Sequence, residues 1–166
     1  LIQLSKKFRQ TTIVIAVGNR GILIAYSLNL LKGIPMNKLL RFNFILMILA
    51  MLGASFLQFF RPDLLGSQSA FGLAPDWQRE IAFWNLAVIP IFIACLYKRD
   101  YFFTKVCASS VMIGGLGFAS NHLMGWLAQP SATGNLVGSL ENFAFVLLWL
   151  IGLGIEIKKH KNSEQK

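Results

Sequence analysis

The sequence predicts an all-α integral membrane protein: a transmembrane helical bundle with four core helices and, as an open alternative, an extra N-terminal helix. Of the 166 residues, 55% are hydrophobic and only 14% are charged, whereas a soluble domain usually carries about 25% charged residues. The charges form short clusters between long apolar stretches. Because backbone groups in lipid must be satisfied within their own segment, these stretches indicate helices, and the alternation typical of a membrane barrel is absent.

Five apolar segments are candidates to cross a hydrocarbon core about 30 Å thick. They cover residues 12–31, 39–60, 81–97, 101–128 and 136–157. Pro62 and Pro130 follow the second and fourth segments directly. Proline cannot continue a helix and restricts the residue before it, so both segments are predicted to end there.

Positive side chains lie mainly on one side of the predicted bundle. Ten of them fall between segments one and two, around the turn between three and four, and after segment five: Lys32, Lys38, Arg41, Lys98, Arg99, Lys105, Lys158, Lys159, Lys161 and Lys166. The other two connections hold only Arg61 and Arg79. The positive-inside rule therefore predicts a cytoplasmic C-terminus. Because the net charge of +9 comes from helix ends, the lipid bilayer and not nucleic acid is the expected partner.

The N-terminal region, residues 1–35, interrupts this pattern. Segment one carries Asn19 and Arg20 at its middle, where an unpaired arginine costs at least about 2.5 kcal/mol. Met36 precedes a basic stretch and an apolar run, as a natural start would. We therefore expect an upstream extension over 1–35, a four-helix transmembrane domain over 36–157 and a cytoplasmic tail over 158–166. The alternative is a genuine fifth helix with Arg20 buried against a partner.

Polar residues recur near the predicted outer ends of segments three, four and five. They are Arg79, Glu80, Asn85, Asn121, His122, Glu141 and Asn142. His122 and Glu141 each lie roughly 8 to 9 Å inside the outer boundary, at about 1.5 Å per residue. Ionisable groups in a membrane normally face the bundle interior and pair with each other. These residues predict an outer-leaflet polar pocket in which His122 and Glu141 exchange a proton. The alternative is a hydrogen-bonded cluster that only holds the helices together.

Small residues precede His122 in segment four: Gly114, Gly115, Gly117 and Ala119. They predict close helix packing, because small side chains let helices approach each other in lipid.

Cys95 and Cys107 lie near helix ends on the predicted cytoplasmic side and are expected to be free thiols. No metal and no cofactor is predicted, since only His122 lies within a span and bis-histidine haem needs two such residues.

A short motif supports the four-helix core. The residues from Arg79 to Leu86, with the sequence REIAFWNL, are followed by Gly114-Gly115 and by His122. This arrangement resembles a family of small bacterial four-helix inner-membrane proteins catalogued as a domain of unknown function, over about residues 38–157. The resemblance implies a bacterial inner-membrane location and no established activity. In that family small residues are usual where Trp84 stands, so the resemblance does not extend to the shape of the pocket.

Three functional hypotheses follow from the sequence. The first is a non-enzymatic membrane protein whose outer pocket binds or moves a small solute or a proton. The second is a structural or accessory subunit of a membrane complex, with a partner along the glycine-rich face. The third is a membrane enzyme or quinone-site protein that uses His122 and Glu141, although no catalytic residue can be assigned. A homodimer is compatible with this chain length, because few helices enclose little volume.

Overall fold

The computed structural model describes residues 14–18, 21–25, 35–98 and 100–165. The chain divides into two compact units, Leu1–Gly33 and Ile34–Lys166. In the first unit, strands β1 (Val14–Gly18) and β2 (Gly21–Ala25) pair antiparallel, with Gly18 opposite Gly21. The alternative of an extra N-terminal helix is therefore corrected at these ten positions. They are rich in β-branched valine and isoleucine, which favour strands. The proposed burial of Arg20 lies outside the described residues.

The second unit is helical, and its elements follow the predicted segments. They are α1 (Lys38–Phe60), α2 (Pro62–Ser67), α3 (Pro75–Lys98), α4 (Tyr101–Ala128) and α5 (Thr133–Glu164). Helices α1, α3, α4 and α5 are each long and apolar enough to cross a membrane. The predicted four core helices are thus confirmed. The short α2 was not predicted, and α5 continues as a helix through most of the predicted tail.

Helix boundaries follow local chemistry. Asn37 caps α1, because its side chain accepts a hydrogen bond from the backbone N–H of Leu40 at 2.9 Å. Asp100 caps α4 in the same way through the N–H of Phe103, at 2.7 Å. Such caps satisfy backbone donors that have no partner within the helix. At the opposite end of α1, Pro62 prevents continuation and instead starts α2.

The four long helices are arranged as two antiparallel pairs. Helix α1 packs along α3, and α4 packs along α5. Contacts between α1 and α5 and the short turn between α3 and α4 join the pairs. We call the end with the α1 start, the α3–α4 turn and the α5 terminus the lysine-rich end, and the opposite end, with α2, the loop end. The half of the bundle next to the lysine-rich end is called the lysine-rich half, and the half next to the loop end is called the loop half.

The hydrophobic core lies in the lysine-rich half. Its buried members are Leu40, Phe44, Phe92, Cys95, Cys107, Ala108, Trp149 and Leu153. Phe44 is central, since its ring meets Trp149 edge-on at 4.7 Å between centroids and Phe92 at 5.7 Å. Edge-to-face pairs of this kind add to the packing of the rings. Both cysteines are free and buried, as predicted.

Candidate functional site

The three predicted site residues of α3 have separate surroundings. Arg79 forms an exposed ion pair with Asp76, one turn earlier. Glu80 is exposed. Asn85 is half-buried and donates a hydrogen bond from Nδ2 to Gln58 Oε1 on α1, at 3.3 Å. Of these three residues, only Asn85 therefore bonds to another helix.

His122 lies at the interface of α4 with α5. Its Nδ1 is 3.4 Å from Asn135 Nδ2. Its ring is half-buried and lies against Gly138, where an added Cβ would be only 3.2 Å from the imidazole. The ring of Phe71, from the connection between α2 and α3, is 6.0 Å away between centroids. His122 is thus covered by α5 on one side and by the loop end on another.

The remaining predicted residues, Asn121, Glu141 and Asn142, do not bond to His122. Glu141 and Asn121 are exposed, whereas Asn142 is half-buried and donates to the carbonyl of Gly138 on its own helix at 2.7 Å. In the described parts of the chain, no hydrogen bond joins two of the seven predicted site residues. The residues are therefore not a hydrogen-bonded cluster, and a pocket formed by them stays a prediction.

The position of Glu141 on α5 is informative. Glu141, Phe145, Leu148 and Gly152 share one face of the helix, at spacings close to whole turns. In the lysine-rich half this face contacts α1: the Leu148 carbonyl accepts from Asn43 Nδ2 at 2.8 Å, and a Cβ at Gly152 would be 3.4 Å from the Cα of Leu40. Glu141 continues the face toward the loop end but is exposed. Helix α1 therefore does not cover α5 at the level of Glu141.

In the α1–α3 pair, polar residues also continue the core-facing surface toward the loop end. Gln58 lies about five turns after Leu40, on the same face of α1. Asn85 lies about two turns before Phe92, on the core-facing side of α3. Gln58 and Asn85 are both half-buried. Each helix pair thus continues its core-facing surface into the loop half with polar side chains.

The connection between α1 and α3 docks on the loop end of α4 and α5. Asn135 is fully buried and accepts from the backbone N–H of Ala70 at 2.7 Å. The N–H of Gly134 donates to the Gln68 carbonyl at 3.0 Å. A Cβ at Gly134 would be 2.5 Å from that carbonyl oxygen, and one at Gly125 would be 2.5 Å from Asn135 Nδ2. The two glycines make this close approach sterically possible.

An ion pair stabilises the start of the same connection. Arg61 and Asp63 are joined by two hydrogen bonds of 3.3 Å, and both side chains are exposed. The hydrogen bond from Arg61, together with its charge, lowers the pKa of the Asp63 carboxyl, and the same bond raises the pKa of Arg61. Such an exposed pair contributes little to stability.

The predicted packing residues of α4 divide into two groups. Gly115 and Ala119 face α5: a Cβ at Gly115 would be 2.8 Å from Val146 Cγ2, and the Ala119 carbonyl accepts from Ser139 Oγ at 3.0 Å. Gly114 and Gly117 face outward, since a Cβ at either would have no atom within 4 Å in the described part of the chain. The first group packs α4 on α5, whereas the second makes no packing contact with the described residues.

Sequence reasoning missed the polar residues that join the helices. Glu156, which is 3% exposed, accepts from the Asn37 backbone N–H and from Asn37 Nδ2, both at 2.7 Å. His160 Nε2 is 3.3 Å from the other Glu156 oxygen, and its ring stacks on Tyr101 at 3.9 Å. The spacing of Glu156 and His160 by one helical turn was a usable signal. The burial of Asn135 had no such signal, because it depends on a loop from a distant part of the sequence.

No metal site is apparent in the regions that the structure describes: they hold no group of three His, Cys, Asp or Glu side chains arranged to bind an ion.

Comparison with known proteins assigns no functional residue, since no family model, curated protein or solved structure matches this chain. The predicted resemblance to a bacterial membrane family stays a prediction. With four helices long and apolar enough to span a bilayer, the chain belongs to the class of integral, multi-pass membrane proteins with a helical bundle.

Proposed function

We propose that the loop half of the bundle contains a polar vestibule between the α1–α3 pair and the α4–α5 pair, which binds or moves a small polar solute or a proton. The observation that carries this proposal is the exposure of Glu141 on the face of α5 that contacts α1 nearer the lysine-rich end. A carboxylate at this depth is costly in lipid. Water or a polar ligand between the two pairs would offset that cost.

The side chains around this vestibule have complementary chemistry. Glu141 and His122 supply groups that take up or release protons. Asn85 and Gln58, on the opposite pair, supply amides that donate and accept hydrogen bonds. The connection from α2 to α3 covers His122 through Phe71, as a lid would. This set suits a small solute with several hydrogen-bonding groups better than an apolar one.

Dense packing in the lysine-rich half would close the vestibule on that side, so a solute would enter it from the loop end only. Its core contains Phe44 and Trp149, both fully buried, and Leu153, which is 7% exposed. A vestibule closed by such packing binds its solute from one side, and movement across the membrane would require the two pairs to separate. On the basis of the lysine-rich end and the positive-inside rule, we further propose a bacterial inner-membrane location with the loop end outside and the C-terminus in the cytoplasm.

A ligand screen with matched variants tests the vestibule. The thermal stability of the purified protein would be measured with a panel of small cationic, zwitterionic and anionic solutes. A ligand present at 100 times its Kd stabilises by about 2.7 kcal/mol. We expect at least one class to raise the Tm of the wild type and of Glu80→Gln, but not of Glu141→Gln or His122→Gln. Glu80→Gln is the matched control, because it removes an exposed carboxylate near the start of α3.

A second assay tests whether the protein moves protons. Proteoliposomes containing a pH-sensitive dye would be placed under an imposed proton gradient, and the rate of its decay would be compared between the wild type and Glu141→Gln. Faster decay with the wild type alone supports proton movement through the vestibule. The proposal is wrong if no solute shifts the Tm and the wild type is no more permeable to protons than Glu141→Gln or empty vesicles.

A separate observation favours a second candidate, an accessory subunit of a membrane complex. Ser110, Gly114, Gly117 and Asn121 share one face of α4, by helical spacing, and all four are exposed. An amide exposed within a span is stabilised by a partner that supplies hydrogen bonds. Copurification from mild detergent tests this candidate. Loss of a stoichiometric partner in Gly117→Leu but not in Ile113→Leu would support it, and a wild type without any partner would refute it.

A further inference from the structure

The two ends of the bundle differ in how their charges are paired. At the loop end, both arginines form ion pairs, Arg61 with Asp63 and Arg79 with Asp76. At the lysine-rich end, within the described ranges, no lysine or arginine forms a salt bridge with a carboxylate. The cations without such a partner include Lys38, Arg41, Lys98, Lys158 and Lys161.

Two of the three acidic residues at the lysine-rich end are already engaged, and the third, Glu164, is exposed in the last turn of α5. Glu156 is buried and used by Asn37 and His160. Asp100 caps α4 by accepting from the N–H of Phe103 at 2.7 Å. Lys159, about one turn after Glu156 on α5, donates to the carbonyl of Pro35. Among the described residues, the cations of this end outnumber its acidic groups, so a net positive charge is available to an anionic partner.

One position at this end places a cation beside apolar side chains. A small cleft lies between the start of α1 and the end of α3, lined by Pro35, Met36, Arg41 and Leu96. Arg41 is exposed beside it. Its guanidinium presents a planar set of donors that matches a phosphate group, and the other three side chains offer an apolar wall. A cation beside apolar surface fits a molecule with a charged head and a hydrocarbon chain.

Aromatic residues place the cleft at the level of lipid headgroups. Tyr97 is 82% exposed and Phe102 is 69% exposed, on either side of the α3–α4 turn. Lys105 Nζ lies 6.0 Å from the centroid of the Phe102 ring. Aromatic rings and lysines of this kind collect at membrane interfaces. A phosphate bound at Arg41 would thus sit where the headgroups of the surrounding lipid lie.

We infer that the cleft beside Arg41 binds the headgroup of an anionic phospholipid, with the lipid phosphate on the guanidinium and the acyl chains along the apolar wall and the adjacent lipid-facing surface. Basic pockets between helices bind anionic headgroups in this way. The inference is independent of the vestibule, because it concerns the opposite end of the bundle.

Native mass spectrometry of the detergent-purified protein tests this site. Phosphatidylglycerol and phosphatidylcholine would be titrated separately onto the wild type, Arg41→Gln, Arg41→Lys and Lys161→Gln. We expect the wild type to prefer phosphatidylglycerol and Arg41→Gln to bind it about fivefold more weakly, the effect of one cation near a lipid headgroup. Arg41→Lys should lose less. Lys161→Gln is the matched control, since it removes one exposed charge at the same end and should change binding less than twofold.

Three results would overturn the inference. Equal affinity of the wild type for both lipids would show that headgroup charge is not recognised. Equal weakening by Arg41→Gln and Lys161→Gln would show a diffuse attraction without a site at the cleft. Competition by inorganic phosphate at millimolar concentration, with no contribution from the acyl chains, would show an anion site and not a lipid site. Monodisperse size-exclusion profiles confirm that each variant is folded.

Discussion

The lysine-rich half and the loop half of the bundle use the same four helices in different ways. In the lysine-rich half, aromatic and aliphatic side chains fill the space between the pairs, and Glu156 is buried with its hydrogen bonds made. In the loop half, Glu141 is exposed, and the half-buried amides of Asn85 and Gln58 bond to each other between α3 and α1. Most of the large buried side chains therefore lie in one half, and the proposed vestibule lies in the other.

The first prediction removes one large side chain from each half. Trp149→Ala removes a fully buried ring and should lower the free energy of unfolding by about 3–5 kcal/mol. Trp84→Ala removes a ring that is 72% exposed and should cost less than about 1 kcal/mol. Denaturant unfolding in a fixed detergent measures both. Similar losses for the two variants would mean that the core is not confined to the lysine-rich half.

The second prediction compares two carboxylates on α5. Glu156→Ala should destabilise by about 2–3 kcal/mol, because it leaves the Asn37 donors without their charged acceptor. Glu141→Ala should change stability by less than about 0.5 kcal/mol, since that side chain is exposed. Thermal unfolding followed by circular dichroism checks both. A large loss in Glu141→Ala would identify it as structural and would count against the vestibule.

The third prediction sharpens the role of the loop that covers His122. Asn135→Ala removes the acceptor for the Ala70 N–H and should cost about 1–2 kcal/mol. Hydrogen exchange at Ala70 and Phe71 should accelerate while the core of the lysine-rich half stays protected. Asn121→Ala, at an exposed position, should leave exchange in that loop unchanged. Unaltered protection of the loop in Asn135→Ala would refute its docking on α5.

The smallest effect is expected on the outer face of α4. Gly117→Ala adds a methyl group where no atom of the described structure lies within 4 Å, so it should be neutral or stabilise by up to about 1 kcal/mol through helix propensity. The Tm of the purified protein reports the change. A clear fall in Tm would reveal a contact at this face that a single copy of the chain does not make.

Much of the fold was predictable because lipid imposes strong rules. Uncharged runs indicated α1, α3, α4 and α5, and Pro62 marked the end of α1. The local helix α2 was not predicted, and the docked loop escaped prediction because its hydrogen bonds are made with Asn135 and Gly134, from a distant part of the chain. The strands β1 and β2 also escaped, because an apolar run of Val and Ile residues is compatible with either a helix or a strand.

The sequence predicts the depth of the candidate site residues but not which side chains contact each other. The sequence places His122 and Glu141 at similar depth, but it does not determine which faces of the helices meet. Asn85 bonds to Gln58, and His122 lies beside Asn135, so these two residues have partners outside the predicted set, whereas Glu80, Asn121 and Glu141 are exposed. Side-chain partners depend on helix rotation and tilt, which packing determines.

Access of water to position 141 distinguishes a vestibule from a carboxylate that faces lipid. Glu141→Cys and Leu140→Cys would be treated with a membrane-impermeant maleimide, which reacts with thiolates in water. The wild type supplies the background, because Cys95 and Cys107 are buried. Leu140 is the matched control, since it is 61% exposed on another face of α5 at the same depth. We predict rapid labelling of Glu141→Cys from the loop side and slow labelling of Leu140→Cys. Equal, slow labelling of both would show that Glu141 faces lipid and that no vestibule separates the helix pairs.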